Sequence, residues 1–220
     1  MAARSGTGGA SVTTHGRSRG LLIALEGIDG AGKSTLSFAL AAALRRRGYS
    51  VALRREPSDP RLGALAQSVS RNDAWTGAVY FTVDRYLARP GLEKALARYD
   101  IVLTDRSFFS TLAYQGSALP PRERRRLEEL ERGATLAPDR VVLLEIPVRE
   151  ALRRMGDRAR KRGPLEQMRI LERVAGEYRA LARKGRWVVL DALSPKRELV
   201  SRALERLGLE RRRPPSARLR

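Results

Sequence analysis

Leu21 to Thr35 reads LLIALEGIDGAGKST, and its reading decides the fold. Leu21 to Glu26 is a short apolar run ending in an acid, the pattern of a buried strand. Gly27-Ile28-Asp29-Gly30-Ala31-Gly32-Lys33-Ser34 then matches G-x-x-x-x-G-K-[ST], with Thr35 following. Leu36, Phe38, Ala39, Leu40, Ala42, Ala43 and Leu44 come next, the apolar spacing of a helix packed on a sheet. Strand, glycine-rich loop and helix are the context a phosphate-binding loop requires. The glycines let backbone N–H groups turn inward around phosphate oxygens, and the helix N-terminus favours an anion. In that reading the loop from Gly27 to Thr35 binds the polyphosphate of a nucleoside triphosphate. Lys33 reaches the β- and γ-phosphates, and the Ser34 hydroxyl helps hold Mg²⁺.

Outward from this loop the chain repeats strand and helix. Strands are expected at 50–54, 100–104, 140–146 and 187–191, each followed by a helical pattern. Helices are expected at 61–72, 74–88, 91–99, 108–115, 120–132, 148–155, 165–182 and 198–207. Five parallel strands with helices between them predict one doubly wound α/β domain over residues 21–208. Residues 1–20 have no periodicity and read as a disordered basic extension, and residues 209–220 as a disordered Arg/Pro-rich tail.

Bulk composition narrows the function classes. The chain has 220 residues with 42% hydrophobic, enough for one sizeable core. It has no cysteine, and its one histidine, His15, lies in the leading extension. Disulfides, thiolate metal sites and a Ser-His-Asp triad are thereby excluded. No apolar stretch reaches the length of a membrane span, and no secretory signal is seen, so the protein is expected in the cytoplasm. The net charge is +20, of which residues 21–208 keep +13. Such a field attracts polyanions. Yet aromatic residues make up only 5% and the basic residues look scattered, so specific nucleic-acid binding is not expected.

Two strand ends carry further candidates, because ligands of a doubly wound sheet lie beyond the carboxyl ends of its strands. Arg55-Glu56-Pro57 follows the second strand, and Arg55 can hold an anion there. Asp105-Arg106-Ser107 follows the third. Asp105 is where Mg²⁺ or its waters are met, and Arg106 points to the same crevice. Phe81 stands four residues before Arg85. That pair either shares a face that stacks and hydrogen-bonds a planar heterocycle, or is a core ring beside a solvated charge. Arg153 to Pro164 holds six Arg and Lys among two glycines and one proline. It reads as a basic lid over a bound polyphosphate. The charged run Pro120 to Arg132 reads as a solvated face and is assigned no site.

Together these motifs resemble the thymidylate kinase family. LEGIDGAGKST looks like its phosphate loop and Arg55-Glu56-Pro57 like its REP motif. Phe81 with Asp84-Arg85 is similar to its base-binding segment. Asp105-Arg106 followed by Ala113-Tyr114-Gln115-Gly116 looks like its DRY…AYQG run. Leu136-Ala137-Pro138-Asp139 and Tyr178 also fit. The resemblance covers residues 21–207. It implies a P-loop NTPase sheet of order 2-3-1-4-5, a homodimer, ATP with Mg²⁺, and transfer of the γ-phosphoryl group to dTMP in dTTP synthesis. It further implies that Asp29 holds the sugar 3′-hydroxyl, that Arg55 and Arg106 clamp the dTMP phosphate, and that Phe81 stacks on thymine. Arg85 then bonds thymine O4, Thr111 lies at the base edge, Tyr114 crowds the 2′ position, and Gln115 lies beside the nucleotide. Asp105 orients Mg²⁺ or the acceptor phosphate.

Some members of the family place an arginine inside the phosphate loop. Here that position is Ala31, so the catalytic arginine is expected from the lid, with Arg153, Arg158 and Arg160 as candidates. Two further departures stand out. Ser58-Asp59-Pro60 replaces the usual Gly-Gly-Thr, and Ser107 replaces the tyrosine of DRY. The second is shared with deoxynucleoside kinases, which phosphorylate a 5′-hydroxyl and need a carboxylate base, for which Glu56 is available. The remaining alternative is a nucleotide-gated binding protein without turnover.

Overall fold

A computed structural model of the chain describes residues 19–156 and 164–210. Five parallel strands form one sheet: β1 (Leu21–Glu26), β2 (Val51–Arg55), β3 (Ile101–Asp105), β4 (Arg140–Glu145) and β5 (Val188–Asp191). Their order is β2-β3-β1-β4-β5, as expected. The central β3 is buried along its whole length and β1 along all but Leu21. The edge strands β2 and β5 are only partly covered. That gradient explains their sequences. IVLTD and LLIALE have helices on both faces, whereas VALRR can carry two arginines at an edge.

The helices are α1 (Lys33–Arg46), α2 (Pro60–Val69), α3 (Ala74–Arg98), α4 (Phe108–Tyr114), α5 (Pro121–Ala134), α6 (Val148–Met155), α7 (Pro164–Gly185) and α8 (Lys196–Leu207). The main core lies between the sheet, α1, α7 and α8, built on Ile23, Leu25, Leu40, Leu44, Leu103, Leu144 and Tyr178.

One expectation fails. The helices expected at 74–88 and 91–99 are a single helix, α3, running through Pro90. A proline inside a helix removes the bond to the carbonyl four residues back. Here that carbonyl belongs to Tyr86, and both Tyr86 and Pro90 are exposed, so water can satisfy it. Asp73 starts α3 by accepting from the Thr76 N–H at 3.0 Å.

The ends of the domain lie slightly beyond the expected bounds. Arg19 makes a bidentate pair with Asp139 at 3.1 and 3.2 Å, and Asp139 also accepts from the Leu22 N–H at 2.8 Å. Leu209 is buried in the main core. The rest of the two tails, residues 1–18 and 211–220, lies outside the described residues, as do residues 157–163 of the expected lid with Arg158 and Arg160. No helix among the described residues is long and apolar enough to cross a membrane.

Candidate active site

The site is built where β1 and β3 end side by side. The chain leaves β1 at Glu26 and turns through Gly27, Gly30 and Gly32, all at positive φ, into α1. At Gly30, φ is +83° and a Cβ would stand 2.4 Å from the Ala151 carbonyl oxygen. Gly30→Ala is therefore expected to lose about 1–3 kcal/mol of stability, read from denaturant unfolding. A midpoint equal to wild type would mean that the loop can move away from α6. The first turn of α1 has neither a side-chain cap nor an acid. Its N–H groups are thus left for an anion.

Lys33 is buried and donates from Nζ to the carbonyls of Gly27 and Ile28, both at 2.9 Å. Burial, with Arg106 nearby, pulls its ammonium down to about 8. Ser34 Oγ donates to Asp105 Oδ2 at 2.5 Å. A hydroxyl and a carboxylate converging beside a phosphate loop are hard oxygen donors of the kind Mg²⁺ takes, with phosphate and water completing its shell. No group of three or more His, Cys, Asp or Glu that could hold a metal by itself occurs among the described residues.

Arg106 adopts φ 79° and follows β3 directly. Its guanidinium pairs with Asp29, donates to Ser110 Oγ at 2.9 Å, and lies 5.3 Å from the Tyr114 ring centre. Burial raises the Asp29 carboxyl, but Arg106 and Lys33 together hold it below its ordinary value. Tyr114 accepts from the Asp29 N–H at 2.9 Å. Behind this group, Glu26 is fully buried and accepts from Ser107 N–H and Oγ, Ser110 Oγ and Tyr178 OH at 2.7–2.9 Å. Ser107, where the family has tyrosine, thus ties the start of α4 to the end of β1.

A cleft of about 710 Å³ gathers much of this. Its lining includes Asp29, the loop from Gly30 to Thr35, Arg55, Asp105 and Arg106. The sequence did not single out Arg154, Ser194 or Lys196 of the lining. Arg154 donates to the Ala192 carbonyl, at 3.3 and 3.2 Å, and both it and the more exposed Arg153 pair with Glu150. The signal was weak because adjacent arginines on a helix differ only in facing, by about 100°.

A second group of side chains surrounds Arg85. Arg85 is buried on α3 and donates to Glu56 at 2.7 Å, to Glu131 at 2.6 Å and to Thr111. This removes the reading of Arg85 as a solvated charge, and it engages Glu56, the carboxylate that the 5′-hydroxyl alternative needs. Burial pushes Glu56 up to about 7, against the pull of Arg85. Arg55 borders both the cleft and a water-sized cavity lined by Glu56 and Arg85. Phe81 is half-buried one turn before Arg85, and Gln115 donates to Ser70 Oγ at 3.2 Å. Neither of the two lines the cleft.

Asp84 explains a departure from the family pattern. Its two carboxylate oxygens accept from the N–H groups of Ser58 and Asp59, both at 2.7 Å. The loop after Pro57 is held by its backbone, and its Asp59 side chain caps α2 by accepting from the Arg61 and Leu62 N–H groups at 2.7 and 3.2 Å.

Sheet order, loop and paired arginines define a nucleotide-dependent phosphotransferase of the P-loop class. The family model for thymidylate kinase matches residues 25–203. A probable thymidylate kinase of Metallosphaera sedula is 34% identical over 184 residues, covering 84% of this chain and 90% of that protein. The thymidylate kinase of Xanthomonas euvesicatoria pv. vesicatoria is 41% identical, covering 77% and 76%. That of Thermomicrobium roseum is 40% identical, covering 79% and 87%. The chain belongs to the thymidylate kinase family.

Proposed function

We propose that this protein transfers the γ-phosphoryl group of ATP to the phosphate of dTMP, giving dTDP and ADP. The observation that carries this reading is that Arg55 and Arg106 border the same cleft as the phosphate loop. A nucleotide switch needs one anion site, whereas a monophosphate kinase needs two facing each other.

The acceptor is already an ionised phosphate, so no strong general base is required. Catalysis is then positioning and charge neutralisation. Arg55 and Arg106 fix the dTMP phosphate, and Asp29 receives the sugar hydroxyl. Phe81, Arg85 and Thr111 meet the base, with Tyr114 and Gln115 beside the sugar. Lys33 leaves its loop carbonyls for the β- and γ-phosphates as ATP arrives. Ser34 and Asp105 would hold Mg²⁺, which would neutralise charge on the transferring group. Arg154, which borders the cleft, and the candidates Arg153, Arg158 and Arg160 would supply further positive charge there.

Val83, Tyr86 and Leu87 leave an apolar exposed strip on α3, Tyr86 and Leu87 being 62% and 64% exposed. This supports a homodimer through that helix. The cytoplasm is the expected compartment, and no specific nucleic-acid partner is proposed.

The test is ADP release by the purified protein with Mg-ATP, offered dTMP, thymidine or no acceptor. Turnover with dTMP alone is expected. Turnover with thymidine alone would transfer the chain to the deoxynucleoside kinases. No turnover despite ATP binding would make it a binding protein.

A further inference from the structure

Glu131 lies in the charged run that the sequence assigned to solvent, yet it is 0% exposed. It sits on α5, and its Oε1 accepts from Arg85 Nη1 at 2.6 Å and from Thr82 Oγ1 at 3.0 Å. Its other oxygen, Oε2, is buried with no hydrogen-bond partner among the described residues. An orphaned buried oxygen is costly to keep, and native proteins keep few of them. The charge balance adds to the cost. One guanidinium, Arg85, faces two carboxyl groups, Glu56 and Glu131, in a largely buried cluster. A second carboxylate there is more than neutralising Arg85 requires.

The donor count gives it a use. A guanidinium has five N–H bonds and no acceptor. Arg85 gives Nε–H to Glu56, one Nη1–H to Glu131 and one Nη2–H to Thr111. One N–H on each terminal nitrogen is left. With Glu56 alone, the planar guanidinium would be held at one corner, and the whole group could still swing on its flexible stem. Glu131 on one terminal nitrogen and Thr111 on the other remove that freedom.

We propose that Glu131 is a positioning residue that aims the two remaining Arg85 N–H groups at a carbonyl oxygen of the base, selecting a 4-oxo over a 4-amino pyrimidine. The inference rests on the reading of Arg85 as the base-facing residue of a dTMP kinase. A donor-only edge accepts the oxygen of thymine and leaves the amino group of cytosine unpaired against like donors.

The experiment compares wild type, Glu131→Leu, Glu131→Met and Glu131→Gln for dTMP and dCMP, together with thermal unfolding. In the two apolar variants, KM for dTMP is expected to rise about tenfold or more and the dTMP-over-dCMP ratio of kcat/KM to narrow by at least as much. KM for ATP should stay within about twofold. Their melting temperature should fall, because a buried Arg85 N–H loses its acceptor, so KM and selectivity rather than stability carry the test. Glu131→Gln keeps an acceptor for Arg85 and should restore dTMP selectivity. A purely structural Glu131 predicts a lower melting temperature with unchanged KM and selectivity, and that result overturns the proposal. Failure of both apolar variants to fold overturns it as well. The wild type judges the functional reading separately: preference for dTMP over dCMP upholds that reading whatever the variants do, and absence of any preference removes both.

Discussion

Lys33→Ala is expected to fold and to lose turnover by roughly 10²–10³-fold, the scale of removing one preorganised charge from a phosphoryl-transfer site. The fold should survive because the lysine's structural contribution is small. It donates two hydrogen bonds to the Gly27 and Ile28 carbonyls. Losing them costs on the order of 1–2 kcal/mol. Its charge matters more, and that charge depends on pH. Burial first, then Arg106, lowers the ammonium from 10.5 to about 8 in the free protein. ATP brings negative charge to it and restores the higher value. ATP binding should therefore take up a proton between about pH 8 and 10.5, and ATP affinity should fall as pH rises through 8. The stability effect has the opposite sign. A lysine whose folded value is depressed binds fewer protons than in the unfolded chain across that interval, so stability rises with pH there. Calorimetry at pH 9 in buffers of different ionisation enthalpy reads the proton uptake directly. Uptake in wild type and none in Lys33→Ala is the expected result. No uptake in wild type would mean that Lys33 is already fully charged in the empty loop.

Arg106→Ala is expected to cut kcat/KM for dTMP by about 10²–10³-fold while KM for ATP moves little. Arg106 follows β3 at φ 79°, where a side chain is strained, and its guanidinium is engaged by Asp29, Ser110 and the face of Tyr114. Backbone and side chain can be separated here. Arg106→Gly removes the same guanidinium but relieves the strain, so it should be more stable than Arg106→Ala by about 1 kcal/mol. The two variants should be equally poor with dTMP. If Arg106→Gly kept wild-type kcat/KM, the guanidinium would have no part in holding the acceptor. Arg106→Lys should not rescue, because an ammonium cannot reproduce the planar fork.

Much of this was legible in the sequence, for identifiable reasons. The phosphate loop could be read because its chemistry is carried by consecutive residues, Gly27 to Ser34. The strands could be read because β1 and β3 are covered on both faces and so must be apolar throughout. The strand-end residues Arg55, Asp105 and Arg106 followed from those strands. What escaped depends on facing and on distant contacts. Pro90 signalled a break, but the proline falls on the exposed side of α3, where a missing bond is tolerated. Arg154 and Arg153 are adjacent, and only the packing of α6 decides which reaches the cleft. Glu131 stands among Arg and Glu residues that do face water, and it is 46 positions from its partner Arg85. No local pattern marks such a residue.

The pairing of Asp29 with Arg106 has a consequence of its own. Two groups assigned to different parts of dTMP, one to its sugar and one to its phosphate, hold each other in the empty site. A ligand offering only an anion would take Arg106 and strand the Asp29 carboxylate. A ligand offering only a hydroxyl would gain Asp29 and forfeit its ion pair. Only a molecule that presents both at once repays the broken contact. If those roles hold, the pair is expected to act as a coincidence detector, rejecting inorganic phosphate and free nucleosides, each of which carries half of the required signal.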